Sequence, residues 1–115
     1  MTEFLAVGDR RIAVERRTGR QPGLFWLGGF RSDMTGSKAL ALDRFGAQHG
    51  LAVTRFDYSG HGQTGGDFDL GTISRWLEEA LAVFETTGGP QIVIGSSMGG
   101  WLALLLIREL RRRSA

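Results

Sequence analysis

An α/β fold, with an N-terminal β-hairpin leading into a β-α-β-α-β-α run, is the class that the 115-residue sequence predicts. Three observations predict it. Residues 24–27 (Leu-Phe-Trp-Leu) form a continuous apolar run ended by Gly28 and Gly29, the pattern of a strand buried on both faces. Apolar residues at helical spacing follow that run and recur twice more, each time separated by a further strand-like stretch. Glycine, at 18 of 115 residues, is about twice as frequent as usual while the hydrophobic share is an ordinary 42%, so the glycines punctuate a folded chain. Helices alternating with buried strands imply a largely parallel sheet covered on both faces, with right-handed crossovers.

The elements follow in order. Residues 4–7 and 12–14 flank Gly8-Asp9-Arg10-Arg11 and read as a hairpin closed by a Gly-Asp turn. After the strand at 24–27, residues 38–48 place Ala39, Leu42 and Phe45 on one helical face, with Gly50 as the residue that stops the helix. Leu51–Phe56 is the next strand and runs into a Gly-rich loop over residues 57–66. Between Thr72 and Thr87, Ile73, Trp76, Leu77, Ala80 and Phe84 recur at helical spacing with Glu78, Glu79 and Glu85 off the stripe, and Gly88-Gly89-Pro90 ends that helix. Residues 91–94 form a third buried strand and 98–112 a third helix.

Composition narrows the function. Without cysteine the chain has no disulfide, thiol nucleophile or iron–sulfur ligation. Its pI of about 9.9 overstates its field: net charge is only +2, and 13 of 14 basic residues are arginine, which titrate far above neutrality. No nucleic-acid partner is expected. The longest apolar run, residues 101–107, is far shorter than the roughly 20 residues of a membrane span. No basic n-region precedes the first apolar stretch, so a cytoplasmic protein is expected. Nothing in the sequence calls for a metal or a cofactor.

Chemistry concentrates where the third strand meets the third helix. Gly95-Ser96-Ser97-Met98-Gly99-Gly100 satisfies G-x-S-x-G with Ser97 at its centre, in the strand–turn–helix setting that a nucleophile elbow needs. A nucleophile at the tip of so tight a turn holds unfavourable backbone angles, and Gly95 and Gly99 leave room where a Cβ would collide. The turn also sets Ser97 at a helix N-terminus, where unpaired N–H groups favour a developing oxyanion. The Met98 N–H is the expected first donor. The second is assigned to the Phe30 N–H in the Leu27-Gly28-Gly29-Phe30 strand exit, with Gly29 as the fallback.

These residues resemble the α/β-hydrolase family: the hairpin, the Leu-Gly-Gly-Phe turn, the Asp-Tyr-Ser-Gly-His-Gly loop and the Gly-Ser-Ser-Met-Gly-Gly elbow fall in the family's order along the chain. Residues 28–39 and 56–62 look like the branch that holds the mitochondrial palmitoyl-protein thioesterase and acyl-glucuronide esterase with many bacterial relatives. The resemblance implies hydrolysis of a small-molecule acyl ester or thioester through an acyl-serine. It also implies a triad acid and a histidine after the nucleophile, in that order. Residues 98–115 contain Glu109 but no Asp or His. The chain over residues 1–115 therefore reads as the N-terminal half of such a fold, ending after the elbow helix. The alternative is an inactive fragment, or a half-domain completed by another chain, with self-association through an exposed sheet edge.

Competing readings of single motifs are weaker. An Asp57-His61-Ser97 triad is conceivable, since all three follow strand ends, but Asp57 is expected to accept N–H groups of its own loop and His61 to pack within it. His49 ends a helix and reads as solvated or capping. Gly60-His-Gly-Gln-Thr-Gly65 matches G-x-G-x-x-G, yet Asp67 and Asp69 precede the helix and would repel a phosphate. Trp76, Trp101 and Phe84 read as core, whereas Met98 is expected to touch a substrate. Residues 31–33 read as a solvated loop.

Overall fold

The structure is a computed structural model and describes residues 2–114. Strands β1 (Glu3–Val7) and β2 (Arg10–Arg17) form the hairpin, followed by β3 (Arg20–Leu27), α1 (Ser37–His49), β4 (Leu51–Phe56), α2 (Ile73–Glu85), β5 (Gln91–Gly95) and α3 (Met98–Ser114). The sheet order is β1-β2-β4-β3-β5. β1 pairs antiparallel with β2, and β2 antiparallel with β4; β3 runs parallel to both β4 and β5. The predicted class and element order hold.

Alternation along β3 assigns the two faces. Leu24 approaches Gly46 of α1, where an added Cβ would sit 2.3 Å from Val53 Cγ2. Phe25 and Leu27 point the other way, into the main core with Ile12, Trp76, Leu102 and Leu106. So α1 covers one face, and α2 and α3 the other. The connection through α1 leads to β4 on one side of β3, and the connection through α2 leads to β5 on the other. The carboxyl end of β3 is thus the point where the chain changes direction, the crevice in which open α/β sheets bind ligands.

Three details depart from the sequence-based reading. Phe45 is half exposed and stacks on His49 with ring centroids 4.3 Å apart, because the buried side of α1 is set by Ala39 and Gly46. β5 is only half-buried, since it is the last strand of the sheet and Ile92 stands exposed. Glu79, read as lying off the apolar stripe of α2, is fully buried.

The Glu79 carboxylate accepts the Arg10 guanidinium at 2.8 Å and the Ser59 N–H at 2.7 Å. One buried charge therefore ties together the hairpin turn, α2 and the loop after β4. Asp57 anchors the same loop: its Oδ1 accepts the Met34 N–H at 2.8 Å and its Oδ2 the Gln63 N–H at 2.9 Å. Thr64 Oγ1 donates to the Asp57 carbonyl and accepts the Ala13 N–H, at 2.7 and 2.8 Å. A single 3-10 turn over Phe68–Leu70 completes the loop before Thr72 caps α2 by accepting the Arg75 N–H.

Two outcomes follow. Glu79→Ala leaves the buried Ser59 N–H without its acceptor and removes one of the two carboxylates that pair with the part-buried Arg10 guanidinium, which keeps Glu78. It is expected to cost about 2 kcal/mol in urea unfolding, against under ~1 kcal/mol for Glu78→Ala, whose carboxylate is exposed. Burial also holds the Asp57 carboxyl above the ordinary carboxylate range, with the Gln63 and Met34 N–H groups pulling the other way. The folded chain then binds that proton more tightly than the unfolded chain, so ionisation costs stability as pH rises from about 4 through the raised value. Relative to Asp57→Asn, the unfolding free energy of the unmodified chain is expected to fall across that window and run parallel above it. A pH-independent difference would refute this origin.

Candidate active site

Ser97 lies between β5 and α3 with φ of 57°, a left-handed value that costs a non-glycine residue about 1–3 kcal/mol. Its surroundings impose that value. An added Cβ at Gly99 would lie 1.9 Å from the Leu27 carbonyl oxygen, and one at Gly95 would lie 2.2 Å from the Gly99 oxygen. The first turn of α3 therefore rests directly on the end of β3, and the Ser96 N–H donates across to the Leu27 oxygen at 3.1 Å. The steric requirement read from Gly95 and Gly99 is present in the packing.

The same approach brings the two predicted donor segments together. Met98 opens α3, so its N–H belongs to the first turn, whose donors find no carbonyl within the helix. On the facing side, a Cβ built on Gly29 would lie 3.5 Å from Ser97 Cβ and 4.0 Å from Ser97 Oγ. Phe30 follows immediately. Tyr58 supports this turn by donating its hydroxyl to the Gly28 oxygen at 3.0 Å, and burial with the nearby Glu79 charge pushes that hydroxyl further up, so it remains a donor.

Two cavities meet at the half-exposed Phe30 ring. One, of about 310 Å³, is polar and apolar in about equal parts and is lined by Ser97, Ser96, Gly29, Ser32, Asp33 and Lys38 among others. Lys38, the sole lysine of the sequence, donates to Ser96 Oγ at 3.2 Å; nothing in the sequence pattern marked it. The other, of about 480 Å³, is lined by Phe30, Ile73, Trp76, Met98 and Trp101 with Gly71 and Thr72. Trp101, expected in the core, is exposed and lines this cavity, while Phe84 packs edge-on against Phe25 at 5.2 Å as core.

His61 is not available to Ser97 as a base. Both ring nitrogens are engaged, Nδ1 with the Ser59 oxygen at 3.0 Å and Nε2 with the Arg31 N–H at 3.1 Å. Asp57 is likewise committed to backbone donors. Downstream of Ser97, Glu109 pairs with Arg112 and Arg113 on α3. Among the described residues no group of three or more His, Asp or Glu could hold a metal ion, and no helix is long and apolar enough to cross a membrane.

Against known proteins, the family model described as the alpha/beta hydrolase family matches residues 21–114. The chain is 41% identical over 92 residues to a protein of Bos taurus named palmitoyl-protein thioesterase ABHD10, mitochondrial, covering 79% of this chain and 30% of the relative. The human protein of that name is 40% identical over 94 residues, covering 81% and 31%. Among solved structures, a candidate hydrolase from Agrobacterium vitis S4 superposes with TM-score 0.89 at 52% identity, covering 97% of this chain and 45% of that one. Mouse alpha/beta hydrolase domain-containing protein 10 superposes with TM-score 0.88 at 37% identity, covering 91% and 43%. The chain spans about a third of the length of the curated relatives and under half of these structures. The expected cytoplasmic location does not stand, because those curated relatives are named as mitochondrial. With its glycine-bounded turn at Ser97, its mixed sheet and a family match over residues 21–114, the chain belongs to the alpha/beta hydrolase family.

Proposed function

We propose that this chain carries the nucleophile and the oxyanion donors of a serine hydrolase that cleaves a carboxylic ester or thioester. The observation that carries the reading is Ser97 at φ 57° on a glycine-bounded elbow, a strained conformation that persists only where the surroundings over-determine it. In the complete enzyme, Ser97 Oγ attacks the acyl carbonyl while a histidine beyond residue 115 takes its proton. The carbonyl oxygen, now negative, is held by the Met98 and Phe30 N–H groups. The carbon–oxygen or carbon–sulfur bond then breaks, the leaving alcohol or thiol takes the proton, and water releases the acyl group from Ser97. The thioesterase names of the relatives support this substrate class. The apolar cavity beside Met98 and Trp101 suits the acyl chain, and the mixed cavity, with Lys38, Asp33 and Ser32 on its wall, the leaving group.

An unassisted serine is a weak nucleophile. The chain alone is therefore expected to react with a fluorophosphonate probe on the order of 10⁴-fold or more slowly than a complete triad enzyme. The phosphonyl group should map to Ser97 by mass spectrometry and vanish in Ser97→Ala. Label that persists in Ser97→Ala would remove Ser97 from the role.

A second reading is favoured by one observation. The β5 edge with Ile92, and the α3 face with Trp101, Leu104 and Ile107, stand exposed together, a surface that a soluble monomer rarely leaves bare. In this reading the chain is a non-catalytic half-domain that completes its sheet with a second copy of itself. Sedimentation then shows a dimer that Leu104→Glu converts to monomer. A unmodified chain that remains monomeric at high concentration would exclude it.

A further inference from the structure

The geometry points to His61 as the positioning residue of the turn that carries Phe30: its neutral imidazole accepts the Arg31 N–H and so fixes the orientation of the Phe30–Arg31 peptide. This rests on the proposed role of Phe30 as an oxyanion donor and deepens it.

Residues 29–32 form a tight turn closed by the Ser32 N–H on the Gly29 oxygen at 3.2 Å. Arg31, its third residue, has φ of 59°, whereas Phe30 is not among the positive-φ residues. With the Ser32–Gly29 bond, that combination fits a type II turn, whose third position ordinarily requires glycine or asparagine. A type I turn would join the same ends and relieve Arg31. The two differ chiefly by rotation of the middle peptide, here the Phe30 carbonyl and the Arg31 N–H. The chain adopts the unfavourable form, so something must hold it.

His61 supplies the hold. Its Nε2 accepts the Arg31 N–H at 3.1 Å, and its Nδ1–H donates to the Ser59 oxygen at 3.0 Å. One tautomer satisfies both bonds. The ring cannot swing away, being buried against Tyr58, Phe68 and Trp76 with centroids 5.5, 5.1 and 5.2 Å distant. Trp76 Nε1 also donates to the Ser59 oxygen at 3.3 Å, fixing the carbonyl that orients the imidazole. The Arg31 guanidinium lies over the Phe68 ring at 4.8 Å, which secures the turn from outside. If the middle peptide rotated, the Phe30 carbonyl would replace the Arg31 N–H before the Nε2 lone pair, acceptor against acceptor. The rotation would change ψ of Phe30 and φ of Arg31, one residue from Gly29, where a methyl group would already touch the Ser97 side chain.

The test uses the 115-residue chain and two readouts, amide hydrogen exchange at Arg31 and the rate of fluorophosphonate labelling at Ser97. His61→Phe fills the ring space without accepting a hydrogen bond, and should raise Arg31 exchange and slow labelling by roughly tenfold each, the worth of one hydrogen bond. His61→Gln, which can accept, should restore much of both, and Arg31→Gly added to His61→Phe should restore labelling because glycine adopts the turn unaided. Unchanged Arg31 exchange and labelling in a folded His61→Phe variant would overturn the proposal. Should that variant unfold, nitrogen NMR of His61 in the unmodified chain decides: a proton on Nδ1 supports the proposal and one on Nε2 overturns it. Label that persists in Ser97→Ala counts against the Ser97 reading alone, and where labelling is too slow to follow, the tautomer with Arg31 exchange decides the turn.

Discussion

Everything at the candidate site follows from one contact without side chains, the first turn of α3 seated on the last residue of β3. Gly99 leaves no room for a methyl group against the Leu27 carbonyl, so helix and strand approach as two bare backbones. That distance forces the tight exit from β5, and the exit sets Ser97 in the left-handed region. It also brings Gly29 close enough to Ser97 that a methyl group on Gly29 would touch the serine side chain. A side chain at Gly99 would displace Ser97 and the turn at Gly29 together, because both depend on the same seat.

The loops around this seat are held by a different economy. Between β4 and α2 the chain has little regular structure, and its buried N–H and carbonyl groups still need partners. Asp57, Thr64, Glu79 and His61 provide them, each bridging to a segment remote in sequence. Polar side chains thus do in this region what sheet pairing does elsewhere. The cost of removing any one is expected to be larger than a surface polar residue would suggest, since an unsatisfied buried group loses its hydration as well as its bond.

Much of this was legible in the sequence, and the limits have physical causes. Apolar runs and helical spacing located the elements because burial enforces periodicity, and G-x-S-x-G located the elbow because sterics allow few residues at those positions. Glu79 was missed although its spacing from Trp76, Ala80 and Val83 sets it on the buried side of α2; periodicity reads apolar residues, and a buried charge is visible only once Arg10 is known to lie opposite it. Phe45 was misplaced because a glycine, Gly46, contributes the buried surface of that helix by its lack of a side chain. His61 carried a signal for chemistry, but which partners its two nitrogens would find depends on a turn thirty residues earlier.

Lys38 has a consequence of another kind. As the sole lysine, it makes the rim of the Ser97 cavity the one place in residues 2–114 where a side-chain primary amine is found, 3.2 Å from Ser96 Oγ. Amine-directed reagents would therefore mark this rim almost uniquely, with the chain terminus as the remaining reactive amine. A tether attached there places its cargo over the serine pair without any engineered cysteine, so the composition of the chain already provides an addressable handle at the mouth of its own candidate site.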